Sequence, residues 1–220
     1  MQEVKEDKFQ EFITKIVSLY YHQRQKFLIG VGILVVAIVA IIVIVSGRGK
    51  ENPEVQLRFT EALGLYSVNQ IDQAEEKFTE FSRRFSSHIL AAKAHYYIGN
   101  IHFTHQEYDK ANKEFQKAYG KLKADPVLGP ATLMAIGNCY EQTQNLKKAL
   151  ETYEQVYKKF KKTALGQEAL MAAGRCAVNL NDLNRAQKIF EQAVKELPPG
   201  ETAEQAKFQL AYIKASKEKF

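Results

Sequence analysis

Four alanines, Ala74, Ala111, Ala149 and Ala186, stand 37, 38 and 37 residues apart. Each lies 12 residues after another small residue: Ala62, Gly99, Gly137 and Gly174. Each is followed at the fourth position by an aromatic ring: Phe78, Phe115, Tyr153 and Phe190. A near-constant interval of this kind means one supersecondary unit used several times. Between the small residues the apolar positions follow helical spacing, and no strand-like alternation appears after Lys50. The repeating unit is therefore a pair of helices. Gly or Ala at the two small positions lets the pair approach closely, and the aromatics fill the space between layers. Such a unit buries its faces only by stacking on its neighbours.

The spacing is that of the tetratricopeptide pattern, L-G-x₂-Y on the first helix and A-x₃-F on the second. Ile98-Gly99-x₂-His102, Ile136-Gly137-x₂-Tyr140 and Ala173-Gly174-x₂-Ala177 carry it, and Glu61-Ala62-x₂-Leu65 is a degenerate first copy. A fifth first helix, Glu204 to Lys217, places Ala211 another 37 residues beyond Gly174. The predicted fold is all-α: residues 54–220 form a solenoid of four helix pairs plus a capping helix. The period exceeds the usual 34. The extra length falls between repeats, after Phe85, Leu122, Phe160 and Leu197, which should seal the joints. Ser87, Asp125 before Pro126, and Thr163 are N-cap candidates there. The turns within repeats fall at Asn69-Gln70, His105-Gln106-Glu107, Gln144-Asn145 and Asn181-Asp182.

The N-terminal quarter is different. Phe27 to Val45 is 19 residues without a charge or a strongly polar group. As a helix it spans roughly 28 Å, close to a bilayer's hydrocarbon core. Arg24 and Lys26 flank one end and Arg48 and Lys50 the other, placed to reach lipid headgroups. A cleaved signal peptide would have a shorter apolar run ending at a small-x-small site. An uncleaved transmembrane helix over 27–46 is expected, contacting lipid through 27–45, with a tail at 1–26 and a linker at 47–53. In the tail, Phe9, Phe12, Ile13, Ile16, Val17 and Tyr20 share one helical face. That face suits either an amphipathic helix on a surface or an extension of the transmembrane segment.

Composition narrows the functions. Two cysteines in 220 residues exclude a disulfide scaffold and a Cys₄ metal site within one chain. The net charge of +6 divides evenly. Residues 1–50 hold 7 Lys+Arg and 4 Asp+Glu, residues 51–220 hold 24 and 21, so each part carries +3. Neither part specifies a polyanion, and the lysines at 147, 148, 158, 159, 161 and 162 read as a solvated face, so no nucleic-acid partner is expected. No phosphate loop, G-x-S-x-G or H-E-x-x-H occurs. No enzyme, cofactor or metal is expected. Cys139 and Cys176 occupy equivalent positions in successive repeats and read as packing residues. His95 and His102 fall at bulky core positions.

A helix-pair solenoid curves with its first helices lining the concave face. With Gly99 counted as position 8 of its repeat, groove positions are 2, 5, 9, 12 and 13. Positions 5 and 12 give Phe59, Tyr66, Tyr96, Phe103, Met134, Glu141, Met171 and Val178. Position 9 gives Asn100, Asn138 and Arg175, and Phe208 and Tyr212 continue the surface on the last helix. Aromatics and Met with interspersed amides suit an apolar or extended peptide. In a tightly wound solenoid the same stripe is simply core. A clamp for a C-terminal carboxylate is not supported, because position 5 carries Phe, Tyr and Met instead of Lys.

The layout resembles the YfgM-like family of bacterial inner-membrane proteins. The resemblance rests on the tail Asp7-Lys8-Phe9-x₂-Phe12, the anchor Phe27–Val45 and the repeats through residue 217. It implies a cytoplasmic N-terminus, a periplasmic repeat domain and no catalytic residues. It also implies protein partners: translocon, chaperone or envelope-complex subunits. A membrane-anchored adaptor near a translocation or chaperone machine is the expected function. The alternative is a scaffold subunit of a large envelope assembly, such as a motor or secretion apparatus, and a homo-oligomer is compatible with either.

Overall fold

The structure is a computed structural model that describes residues 10–15, 24–47 and 52–217. All regular structure among the described residues is helical. The chain divides into two units, Met1–Pro53 and Glu54–Phe220.

In the first unit, α1 covers residues 10–15 and α2 runs Arg24–Gly47. Phe12 and Ile13 of α1 are exposed. Phe9, Ile16, Val17 and Tyr20, which complete the expected apolar face, lie outside the described residues. Helix α2 has 24 residues, about 36 Å at 1.5 Å per residue. Four successive side chains, Ile33, Leu34, Val35 and Val36, are all exposed. Successive helical residues point about 100° apart, so this stretch of α2 is apolar on every face. Side chains along α2 are described without interruption only from 32 to 41. Among the described residues no helix is long and apolar enough to cross a membrane.

The second unit holds α3 (Pro53–Ser67) with α4 (Ile71–Arg84), α5 (Ile89–Thr104) with α6 (Tyr108–Leu122), α7 (Leu128–Gln142) with α8 (Leu146–Phe160), α9 (Ala164–Asn179) with α10 (Leu183–Glu196), and α11 (Glu201–Lys217). From α4 onward each helix packs on the next, and α7 also touches α9. The repeat glycines show why this spacing is needed. A Cβ added at Gly99, Gly137 or Gly174 would stand 2.7, 2.5 or 2.5 Å from the ring of Phe115, Tyr153 or Phe190. Those three rings are fully buried. The four second-helix alanines are fully buried beside them. Joints between repeats use the same device. A Cβ at Gly166 would lie 2.1 Å from the Phe160 carbonyl oxygen.

Each turn within a repeat is one structure used four times. Asn69, Gln106, Gln144 and Asn181 take positive φ, between 58° and 61°. The next residue then donates its N–H back to the carbonyl five residues earlier: Gln70 to Leu65, Glu107 to His102, Asn145 to Tyr140 and Asp182 to Ala177, at 2.8–3.0 Å. This closes the first helix in a Schellman motif. All four turns fall where the sequence places them. Of the three expected caps, Thr163 acts as anticipated, whereas Asp125 holds the turn leading into α7, whose N-cap position is Val127. Thr163 Oγ1 accepts from Gly166 N at 3.1 Å, and Asp125 Oδ1 accepts from Val127 and Leu128 at 2.9 and 2.8 Å. The cap of α5 is a correction. His88, not Ser87, takes the extended conformation, and its Nδ1 accepts from Leu90 N.

Cys139 and Cys176 are free and fully buried. They are the position-10 residues whose equivalents, Ile101 and Ile213, are also buried. Burial pushes the thiols up to about 12 and about 11. His95 and His102 are half-buried and paired with carboxylates instead of packed as knobs. His95 Nδ1 lies 2.6 Å from Glu114 Oε2, and His102 Nδ1 lies 2.8 Å from Glu107 Oε2. The lone-pair and proton needs of an imidazole favour such polar edges over an apolar layer.

Candidate functional site

The first helices α5, α7 and α9 enclose a cleft of about 310 Å³ on the face they share. Five of the sequence-predicted residues meet there: Tyr96, Asn100 and Phe103 from α5, Met134 and Asn138 from α7. Phe115 forms part of the floor, and Ala131, Ala135, Leu165 and Glu168 complete the lining. Small residues at 131 and 135 leave room for an incoming side chain. Tyr96 leans on Phe115 with ring centroids 5.9 Å apart, and Phe103 meets Tyr108 edge-on at 5.2 Å.

Asn138 is tied from behind. The Tyr153 hydroxyl, rising from α8 between the helices, lies 2.8 Å from Asn138 Oδ1 and 2.6 Å from Glu141 Oε2. Burial foremost, and then the Glu141 carboxylate, hold this phenol far above the ordinary tyrosine range. It therefore stays a proton donor wherever the protein is folded.

A second cleft, about 400 Å³, lies between α9 and α11. Met171, Arg175 and Phe208 meet there, joined by Glu201, Glu204, Gln205 and Gln209. Phe208 and Tyr212 are 69% and 62% exposed. Val178 is half-buried and lines neither cleft.

The sequence-predicted stripe is thus interrupted at its N-terminal end. Phe59 is buried, and Tyr66 is half-buried. Both belong to an aromatic cluster in which Phe78 stacks on Tyr97 at 5.1 Å and Tyr66 meets Tyr97 edge-on at 5.2 Å. Burial raises the Tyr66 and Tyr97 phenols above their usual range. Met134 and Met171 are buried too and serve as cleft floor. Glu168 and Gln205 were not singled out from sequence, although both stand at position 2 of their repeats. No group of three or more His, Cys, Asp or Glu among the described residues could hold a metal ion.

Comparison with known proteins adds the family and the fold. The sequence profile of the tetratricopeptide repeat matches residues 59–127 and 134–202. No curated protein matches the chain in sequence. Among solved structures, YrrB, described as a TPR protein with an unusual peptide-binding site, is similar at 24% identity. That match covers 73% of this chain and 76% of YrrB, with TM-score 0.57. A tetratricopeptide repeat protein from Parabacteroides merdae is similar at 16% identity, covering 76% of this chain and 62% of that one, TM-score 0.63. The apo form of RapI is similar at 13% identity, covering 82% and 54%, TM-score 0.63. At these identities the likeness is one of fold.

Proposed function

The chain belongs to the tetratricopeptide repeat family, and we propose that it is a membrane-anchored adaptor whose concave face grips an extended segment of a partner protein. The cleft between α5, α7 and α9 carries this reading. It is open, floored by the buried Phe115 and Met134 and edged by two asparagine amides at equivalent positions. An amide can satisfy both the N–H and the C=O of an extended backbone, and the apolar lining can take its side chains. The peptide-binding site named for YrrB is in keeping with such a role.

Anchoring is supported by the 19-residue uncharged run at 27–45 and its basic flanks. In water, a helix apolar on all sides needs a covering of protein or lipid. The resemblance to the YfgM-like family supports a bacterial inner-membrane address, with the repeats in the periplasm beside translocation or chaperone components. The C-terminal end of the solenoid speaks against a scaffold that grows by end-to-end stacking. Ala211 stands where Gly174 receives its second helix, yet it is exposed, with exposed Lys207 and Lys214 on the same face. A polar outer face is the mark of a terminal cap.

The test is a photo-crosslinking residue placed at Asn100 in the full-length protein in its native membrane. Capture of defined polypeptides from Asn100, and not from exposed Glu151 on α8, supports the adaptor. Equal capture from both positions, or none from Asn100, overturns it.

A further inference from the structure

The charge on the groove runs against the charge on the domain. Residues 51–220 carry a net +3, but the charged groups lining the two clefts are Glu168, Glu201, Glu204 and Arg175. Three carboxylates against one guanidinium leave −2. In the second cleft Arg175 comes from α9 and the two carboxylates from α11, where Glu204 is already paired with Lys207 at 2.7 Å. The first cleft is simpler, since Glu168 is its only charged lining residue. Glu168 is exposed, and its carboxylate makes no hydrogen bond or ion pair among the described residues. Around it stand the Asn100 and Asn138 amides, the Tyr96 phenol and otherwise apolar side chains.

Resting on the groove reading above, we propose that the cleft selects an extended apolar segment carrying a lysine or arginine, whose cation is held at Glu168. An aromatic or aliphatic side chain of the segment enters the space above Ala131 and Ala135. The two amides hold its backbone, and the neighbouring cationic side chain reaches along the wall to the carboxylate. Because Glu168 is exposed, the strength of that pair is modest. The same charge turns away acidic segments, which gives the site a repulsive as well as an attractive component of specificity.

The experiment uses the detergent-solubilised full chain and an array of random twelve-residue peptides. Peptides that bind are expected to be enriched in Lys or Arg beside an aromatic or aliphatic residue. Replacing that cation by Gln should weaken binding about three- to fivefold, the range of a partly exposed ion pair. Glu168→Lys should reverse the preference, favouring the Glu version of each peptide. Ala131→Phe, which fills the cleft, reads the site itself. If Lys, Gln and Glu versions bind alike and Ala131→Phe abolishes them all, charge selection at Glu168 is overturned while the groove stands. If no peptide binds, or Ala131→Phe leaves binding unchanged, the groove reading fails and this inference with it.

Discussion

The Tyr153 ring lies directly over Gly137. A Cβ at residue 137 would stand 2.5 Å from Tyr153 Cε1 and 2.8 Å from Cδ1. The ring cannot yield, because it is fully buried and its hydroxyl is fixed by Asn138 and Glu141. Gly137→Ala should therefore destabilise by about 1–3 kcal/mol, even though alanine is the better helix former. Gly64 supplies the control. Nothing lies within 4 Å of its added Cβ. Gly64→Ala should stabilise by about 0.5–1 kcal/mol. Chemical denaturation of both variants measures the contrast, and equal signs would refute this account of the repeat glycines.

The four turns within repeats place non-glycine residues in the left-handed region. Asparagine tolerates that conformation better than glutamine does, through its short polar side chain. Gln106 and Gln144, at φ 61° and 58°, are thus the strained pair. Replacing either by glycine should raise stability by about 0.5–1 kcal/mol, less than the full left-handed cost because glycine also loosens the unfolded chain. Asn69→Gly and Asn181→Gly should gain less. Thermal melts of the four variants would reveal the ranking.

These turns were legible in the sequence because each is fixed by a few adjacent residues. The helix pairing was equally legible, since small residues 12 apart leave one way for two helices to meet. The groove was harder to read, because periodicity gives a side chain's direction but not what leans over it. Phe59 and Tyr66 stand at groove positions, yet the first repeat carries Phe78 and Phe81 on its second helix and meets Tyr97 on the next. Those rings fill the joint and draw both residues inward. Glu168 shows the converse. Its position in the repeat was known, but that it is the only charge on an otherwise neutral wall emerges only when three helices are assembled. The His88 cap depended on one residue's backbone angle, which composition does not encode.

The cysteines give a pH prediction. Burial raises Cys139 to about 12 and Cys176 to about 11 from an unfolded value of 9.0. Groups raised in the folded state leave stability intact below the unfolded value and reduce it as pH rises toward the folded one. Stability should thus be insensitive to these thiols at pH 7 and fall between about pH 9 and pH 12. Cys139→Ala with Cys176→Ala should flatten that fall relative to the parent, whatever it does to stability at neutral pH. The same burial predicts that a thiol reagent at pH 8 reacts only as fast as the protein opens. Rapid modification of the folded protein would contradict the packing seen for both residues.

Tyr153 connects the core to the groove, so its hydroxyl can be tested separately from its ring. Tyr153→Phe keeps the ring against Gly137 and removes only the oxygen that Asn138 and Glu141 share. One hydroxyl proton serves two acceptors, and the shorter contact, to the carboxylate, is the charge-assisted one. Both acceptors are only half-buried, so water can replace the lost donor. The cost in stability should be about 1–2 kcal/mol. Partner capture should suffer more than stability does, because Asn138 would lose the contact that orients its amide toward a bound backbone. Comparing crosslinking yield from Asn100 in Tyr153→Phe and in a surface variant of matched stability separates the two effects. A drop in yield beyond that of the matched variant identifies the hydroxyl as a positioning group for the groove, and equal yields would confine it to packing.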